Sequence, residues 1–336
     1  MRVRRICDGD RRVVAVHHGP SDTWVDLDAA AAVFDRSVRG PLTQDLVDLL
    51  AARERGRDMA QRLADRAVGE QVAMVTPAPA LPVDVTSLRC FLGWEKHWVQ
   101  AAHSLVRRNL RAAWPFIRAY ETVGRRTFPA LRPGAAFGDH PDYYTGNHRT
   151  IRADGDEIPW PDYTDLLDYE LEFGVVVDHP IRDATPAQAT AAIGGFVVFN
   201  DVSARDVQWD EHRRSSFGPV VKTKTFASTM GAVMVTPDEI LPHLDDLDAS
   251  VVVDGETWAS TSTAGMRWSP GDWLSYASRG EEIGPGELAT SGTLPSGSGL
   301  EIDRWIRPGQ TVTLSIDRIG SVSNRVGAPS TASTPR

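Results

Sequence analysis

Two glutamates stand two positions apart, Glu170 and Glu172, in the apolar, β-branched run Asp-Tyr-Glu-Leu-Glu-Phe-Gly-Val-Val-Val that starts at Asp168. The pattern predicts a strand. Alternate strand residues face the same side, so both carboxylates point one way, roughly 6.6 Å apart along the backbone, with Leu171 and Phe173 on the other face. A second apolar strand runs into Asp201, a third carboxylate placed to converge on the first two. Three like charges gathered in a folded interior repel one another unless a cation lies between them. An all-oxygen donor set suits a hard divalent ion, and such an ion does Lewis-acid chemistry on carbonyl oxygens.

The elements that must hold these residues follow from periodicity and punctuation. Residues 1–40 read as short strands and turns. A helix is predicted from about Thr43 to Val68, with Thr43 as cap and Leu46, Leu49, Leu50 and Ala51 on one face. The Ala-Pro-Ala-Leu-Pro run at 78–82 reads as a linker. A second helix is predicted from about Phe91 to Ala113, carrying Glu95, His97 and His103, with Pro115 ending or kinking it. Residues 121–165 read as a long loop with short strands, and β runs alternate with turns from Tyr169 onward. The predicted organisation is α+β: a small N-terminal strand-and-helix region at 1–85, a catalytic domain at 86–325 and a disordered tail at 326–336.

Composition narrows the function classes. The chain has 336 residues and a net charge of −9, with no basic block, which argues against nucleic acid or an anionic membrane as partner. No apolar run reaches the length of a membrane span, and the N-terminus lacks a secretory pattern. Only Cys7 and Cys90 are present, so no disulfide framework exists and a cytoplasmic location is expected. Of the 36 basic residues three are lysines: Lys96, Lys222 and Lys224. A position that keeps Lys in so Arg-rich a chain can require a compact ammonium.

Asp-Tyr-Glu-Leu-Glu, the run Asn-Asp-Val-Ser-Ala-Arg-Asp-Val-Gln at 200–208, Lys224-Thr-Phe, Ser-Gly-Thr at 291–293 and Gly-Leu-Glu at 299–301 resemble the signature blocks of the fumarylacetoacetate hydrolase family. The resemblance extends from about residue 85 to 325. It implies a mixed β-roll with Mg²⁺ at its mouth, Mn²⁺ or Ca²⁺ being alternatives, usually in a homodimer. It implies that Glu170, Glu172 and Asp201 are the metal ligands. Arg205 and Gln208 match side chains that hold substrate oxygens, and Lys224 matches the lysine beside the metal. The block Arg89-Cys90-Phe91-x-x-x-Glu95-x-His97 resembles the one that supplies the catalytic histidine, and Glu301 matches the carboxylate that orients it. Tyr144 and Thr293 resemble substrate-binding residues. The family commonly places an aspartate ligand seven residues before the histidine, where this chain has Cys90; a thiol is a poor ligand for Mg²⁺ or Ca²⁺.

Other apparent motifs carry no chemistry. Gly284-x-Gly286-x-x-Ala289 does not open a helix after a strand, Asp154-Gly155-Asp156-Glu157 reads as a turn, and Glu211-His212-Arg213-Arg214 as an exposed loop near the entrance. The expected activity is metal-dependent hydrolysis of a C–C bond in a 1,3-dicarbonyl or acylpyruvate-type oxo acid. Isomerisation or tautomerisation, decarboxylation and a lyase step use the same inventory, and a non-catalytic metal-binding scaffold is the alternative from another class.

Overall fold

The computed structural model describes residues 1–9 and 11–330. The fold is α+β, with helices packed on mixed sheets. Six strands and three helices position the site. They are β1 (Leu88–Phe91), α1 (Glu95–Asn109), β2 (Tyr143–Thr145), β3 (Leu171–Val177), β4 (Ile193–Asn200), α2 (Arg205–Arg214), β5 (Leu288–Thr290), α3 (Gly299–Ile302) and β6 (Gly320–Pro329). Strands β3 and β4 are buried on both faces, as their unbroken apolar runs require. They pair antiparallel with Leu171 opposite Asn200, so the residues that flank their ends meet at one edge.

From β4 the main sheet continues through β3, β5 and β1 to β2, with β5 and β1 parallel and the other three pairs antiparallel. On its other side β4 pairs with Met234–Val235, which pairs in turn with Arg2–Asp8. The N-terminal strands thereby extend the same sheet. A five-stranded sheet containing β6 covers the other side of the core, with Phe173, Phe196, Leu314 and Val322 in one apolar cluster.

Four boundaries differ from the sequence expectation. The stretch 43–68 is three helices, Pro41–Gln44, Leu46–Ala51 and Arg53–Gly69. Asp45 caps the second by accepting from the amides of Val47 and Asp48, and Arg53 breaks the path with φ +52°. Thr43 is the third residue of the first helix rather than its N-cap: its hydroxyl accepts from the N-cap Gly40 amide at 3.2 Å and donates to Asp28 at 2.9 Å. The second helix starts at Glu95, because Phe91 belongs to a strand, and ends at Asn109. Pro115 neither ends nor kinks it: it sits in the first turn of a separate helix, Trp114–Gly124, where its missing N–H costs nothing. Residues 121–165 accordingly hold helical turns as well as strands. Finally, β6 runs to Pro329, held by parallel pairing with Glu157–Trp160, so that part of the expected tail is ordered; residues 331–336 lie outside the described residues.

Asp28 shows how the N-terminal region is fixed. It is 3% exposed and accepts from Arg39, Thr43 and Gln44. The Arg39 hydrogen bond, opposed by burial and aided by Gln44 and Thr43, holds its carboxyl down at about 2. A depressed carboxyl contributes stability that is present above its ordinary value near 3.8 and lost as pH falls through about 2. Asp28→Asn is expected to cost about 2 kcal/mol at pH 7 in denaturant unfolding, with the difference from the parent shrinking below pH 4.

Candidate metal centre and active site

At the edge where β3 and β4 meet, Glu170, Glu172 and Asp201 converge, and one carboxylate oxygen from each lies within 4.8 Å of the others. All three are buried, at 4%, 1% and 2% exposure. Pairing explains the convergence. Glu172 is the second residue of β3, Glu170 precedes it on the same face, and Asp201 follows directly on β4, its amide donating to the Glu170 carbonyl at 3.1 Å.

Two cations share the space. Lys224 Nζ contacts Glu170 Oε2 and lies 2.9 Å from Asp201 Oδ2. Arg205, the first residue of α2, places Nη2 2.7 Å from Glu170 Oε1, donates through Nε to Asp168 at 2.8 Å and through Nη1 to Gln208 at 3.0 Å. All three guanidinium nitrogens thus face protein partners. Of the lysines, only Lys224 reaches the site; Lys96 is exposed and Lys222 lies over the Tyr163 ring.

Charge sets the behaviour of these groups. Burial opposes ionisation of Glu170, but Lys224 and Arg205 outweigh it and hold its carboxyl at about 2. Glu172 contacts neither cation, and the weaker pull of Lys224 does not offset what opposes its charge. Burial, then the charges of Asp201 and Glu170, push its carboxyl well above the usual range, and Gly292 N–H, at 3.2 Å, donates to it. Burial also pushes Asp201 up against the pull of Lys224. Lys224 itself is held protonated against burial by Asp201 and Glu170.

With all four ionised, Asp168, Glu170, Glu172 and Asp201 carry four negative charges against the two positive charges of Arg205 and Lys224. The shortfall is two, the charge of a divalent ion. The donor set therefore fits a hard divalent cation, with the Lys224 ammonium marking where positive charge is favourable.

Asp168 is the residue that sequence reading passed over. Fully buried, it accepts from Arg205 Nε and from the amides of Tyr169, Gly299 and Leu300. It ties the guanidinium to the start of α3, where an anion is favoured. Its signal was its place two residues before Glu170, on the same face. Asp168→Asn is expected to lower stability by about 3–5 kcal/mol, because it leaves Arg205 short of a buried partner; urea unfolding measures it.

His97 lies in the first turn of α1 and Glu301 in α3. The Leu171 amide donates to the Gly297 carbonyl, and Glu170 bridges Ser298, so the turn bearing Glu301 is bound to the strand bearing the triad. His97 Nδ1 is 3.1 Å from Glu301 Oε2, off the axis that a hydrogen bond needs. The Glu301 side chain is fully buried and accepts from the amides of Ser296 and Ser298 and from the Ser298 hydroxyl. Those donors orient its carboxyl group beside Nδ1, leaving His97 Nε2 as the ring nitrogen turned away from Glu301.

His97, the triad, Arg205, Gln208, Lys224, Tyr144 and Thr293 all line one cavity of about 350 Å³. Tyr144 donates to Asp201. Cys90 is opposite Tyr144 in the sheet and is buried, its thiol pushed up by burial and then by Asp201 and Glu172, which makes it a neutral wall and no nucleophile. Glu211–Arg214 is the last turn of α2 and no loop. Glu211 accepts from the Val221 amide and the Thr223 hydroxyl, pinning the segment that delivers Lys224. Sequence reading did not find the cavity's other walls, Trp98, Leu105 and Leu131, whose apolar character carries no chemical signature.

Residues 122–327 match the family described as Fumarylacetoacetate (FAA) hydrolase C-terminal. Among curated proteins, a provisionally named hydrolase of Burkholderia multivorans is 32% identical over 181 residues, 51% of this chain and 60% of that protein. Oxaloacetate tautomerase YisK of Bacillus subtilis is 29% identical over 192 residues, 56% of this chain and 62% of that protein. The chain thus spans about three fifths of the length of these relatives. Among solved structures, a fumarylacetoacetate hydrolase from Exiguobacterium antarcticum covers 98% of this chain and 99% of its own, with a TM-score of 0.64 at 23% identity. Fumarylpyruvate hydrolase from Pseudomonas aeruginosa, in complex with Mn²⁺ and pyruvate, covers 75% of this chain and 97% of its own, with a TM-score of 0.54 at 20% identity. No helix among the described residues is long and apolar enough to cross a membrane.

Proposed function

Since the chain belongs to the fumarylacetoacetate hydrolase family, we propose that it hydrolyses a C–C bond in an acylpyruvate-type oxo acid. The observation that carries this reading is that His97, with Glu301 behind it, lines the same cavity as three convergent carboxylates. A metal centre alone would serve a binding protein; a buried, oriented histidine beside it is a proton carrier. That pairing argues against a non-catalytic scaffold.

Glu170, Glu172 and Asp201 would hold the divalent ion, Mg²⁺ or Mn²⁺, which when bound supplies Lewis-acid stabilisation to oxygens of the oxo acid. Lys224 neutralises Glu170 and Asp201 and offers its ammonium to a substrate oxygen. Arg205 holds Glu170 in place, and Gln208, whose oxygen accepts from Arg205, turns its amide N–H₂ toward the substrate. Tyr144 and Thr293 bound the pocket at the triad end. His97 Nε2 takes a proton from water, and Glu301 stabilises the imidazolium that forms. The hydroxide bonds to the acyl carbonyl carbon, the C–C bond to the pyruvate methylene breaks, and its electron pair passes into the pyruvate enolate. His97 returns its proton to that carbon. The products are pyruvate and the carboxylate of the acyl group.

A second reading is supported by the Bacillus subtilis relative, named as a tautomerase. If water does not attack, the same base moves a proton on the oxo acid and no bond to carbon is cleaved. The test follows the enol absorbance of an acylpyruvate panel with Mg²⁺, Mn²⁺ or EDTA, with products weighed by mass spectrometry. Metal-dependent loss giving two acids supports hydrolysis. Turnover without mass change supports tautomerisation, and loss of CO₂ supports decarboxylation. The homodimer and the cytoplasmic location belong to the same proposal; light scattering of the purified protein reads the first.

A further inference from the structure

The cavity is chemically divided. At the triad end it is polar. Beyond His97 it is walled by Trp98, Ala101, Ala102 and Leu105 of α1, by Leu131 and by Val220. Ala101 and Leu105 follow His97 by four and eight residues, and Trp98 and Ala102 form the adjoining row four apart, so the base and the apolar wall share one side of one helix. At 1.5 Å per residue, the wall runs about 12 Å from His97 to Leu105. Apart from the triad, its cationic partners and His97, the acidic or basic residues lining the cavity are Asp142 and His212. Asp142 is an acid and offers a second carboxylate no cation. His212 is exposed at the end of α2, stacked on Trp209. Arg205 and Lys224 are committed to carboxylates at the triad end.

Resting on the hydrolase reading, we infer that the substrate is a mono-acid: an acylpyruvate whose acyl group is an uncharged alkyl chain or aryl ring, seated along α1. A dicarboxylate such as fumarylpyruvate would place its distal charge against alanine, leucine and valine, where burial of an unpaired carboxylate is costly. An apolar tail gains with each methylene it buries.

The test compares the Mn²⁺-loaded full chain on alkanoylpyruvates of increasing length, benzoylpyruvate and fumarylpyruvate. The expected result is a rise in kcat/KM of about fourfold per added methylene until the cavity is full, the value of one buried CH₂. Fumarylpyruvate should fall at least tenfold below the uncharged acyl group of equal length. Ala101→Phe should flatten the chain-length series, and Leu105→Arg should move the ratio toward the dicarboxylate. Calorimetry with straight-chain 2-oxo acids on the same loaded protein gives a readout independent of turnover. Affinity that rises with chain length in a protein that turns nothing over would sink the hydrolase reading and keep this inference. A flat series in both readouts, preference for fumarylpyruvate, or no binding of any oxo acid overturns it.

Discussion

Glu172→Gln is expected to abolish metal binding and to leave the metal-free protein at least as stable as its parent. The side chain is 1% exposed and faces Asp201 and Glu170, with the Gly292 amide as its hydrogen-bond donor. Unlike Glu170 it touches neither Lys224 nor Arg205. In the absence of metal its charge is a liability, since burial and two like neighbours oppose it. Glutamine keeps the shape and the acceptor for Gly292 and removes the repulsion. With a divalent ion at a hundred times its Kd, the parent gains about 2.7 kcal/mol, a Tm rise of several degrees, and the variant gains none. Turnover falls by about 10³, the share expected of a Lewis acid supplying several kcal/mol. Differential scanning fluorimetry with EDTA and with Mn²⁺ reads both signs. A variant that melts well below the parent in EDTA, or that keeps the Mn²⁺ shift, contradicts the assignment of Glu172 as a ligand.

His97→Gln is expected to lower kcat by about 10²–10⁴ with KM and the Mn²⁺-induced Tm shift unchanged. His97 lines the cavity but belongs to α1, outside the carboxylate cluster, so its loss removes a proton carrier and no ligand. Glu301→Gln should cost less, because it removes the charge that supports the imidazolium and keeps the imidazole in place. Steady-state kinetics at saturating metal separate the two. Full activity in His97→Gln would exclude a water-activating role and leave the chemistry to the cation site alone.

The convergence of the three carboxylates was largely legible from residues because a strand's two-residue period is rigid: Glu170 and Glu172 could only face together, and Asp201 closes a second apolar run that could bring it to them. The pairing of His97 with Glu301 was not legible from residues. They are brought together by a turn whose hydrogen bonds to β3 are backbone bonds without sequence signature, and the resemblance alone supplied them. Asp168 was overlooked because a buried acid that braces an arginine looks in sequence like any acid at a strand entrance. The helix boundaries failed where side chains overrode propensity. Arg53 takes a left-handed conformation and its guanidinium reaches Asp178 at 2.7 Å, while Thr43 spends its hydroxyl on Asp28.

The parallel pairing of β5 with β1 sets Leu288 opposite Leu88, two hundred residues away along the chain. Closing so large a loop costs entropy before any contact offsets it, so this part of the sheet forms late and folding is slow. The Glu172 oxygen that Gly292 holds, and the Glu301 turn that follows, arrive only with β5. A nascent chain short of that strand already carries Glu170, Glu172 and Asp201 but lacks the Gly292 amide that holds Glu172 in place. A divalent ion held by the three would meet a fully oriented set of ligands only on the native side of the folding barrier. It would slow unfolding more than it hastens folding, so that persistence of the native protein, more than the speed of its formation, would depend on the metal supply.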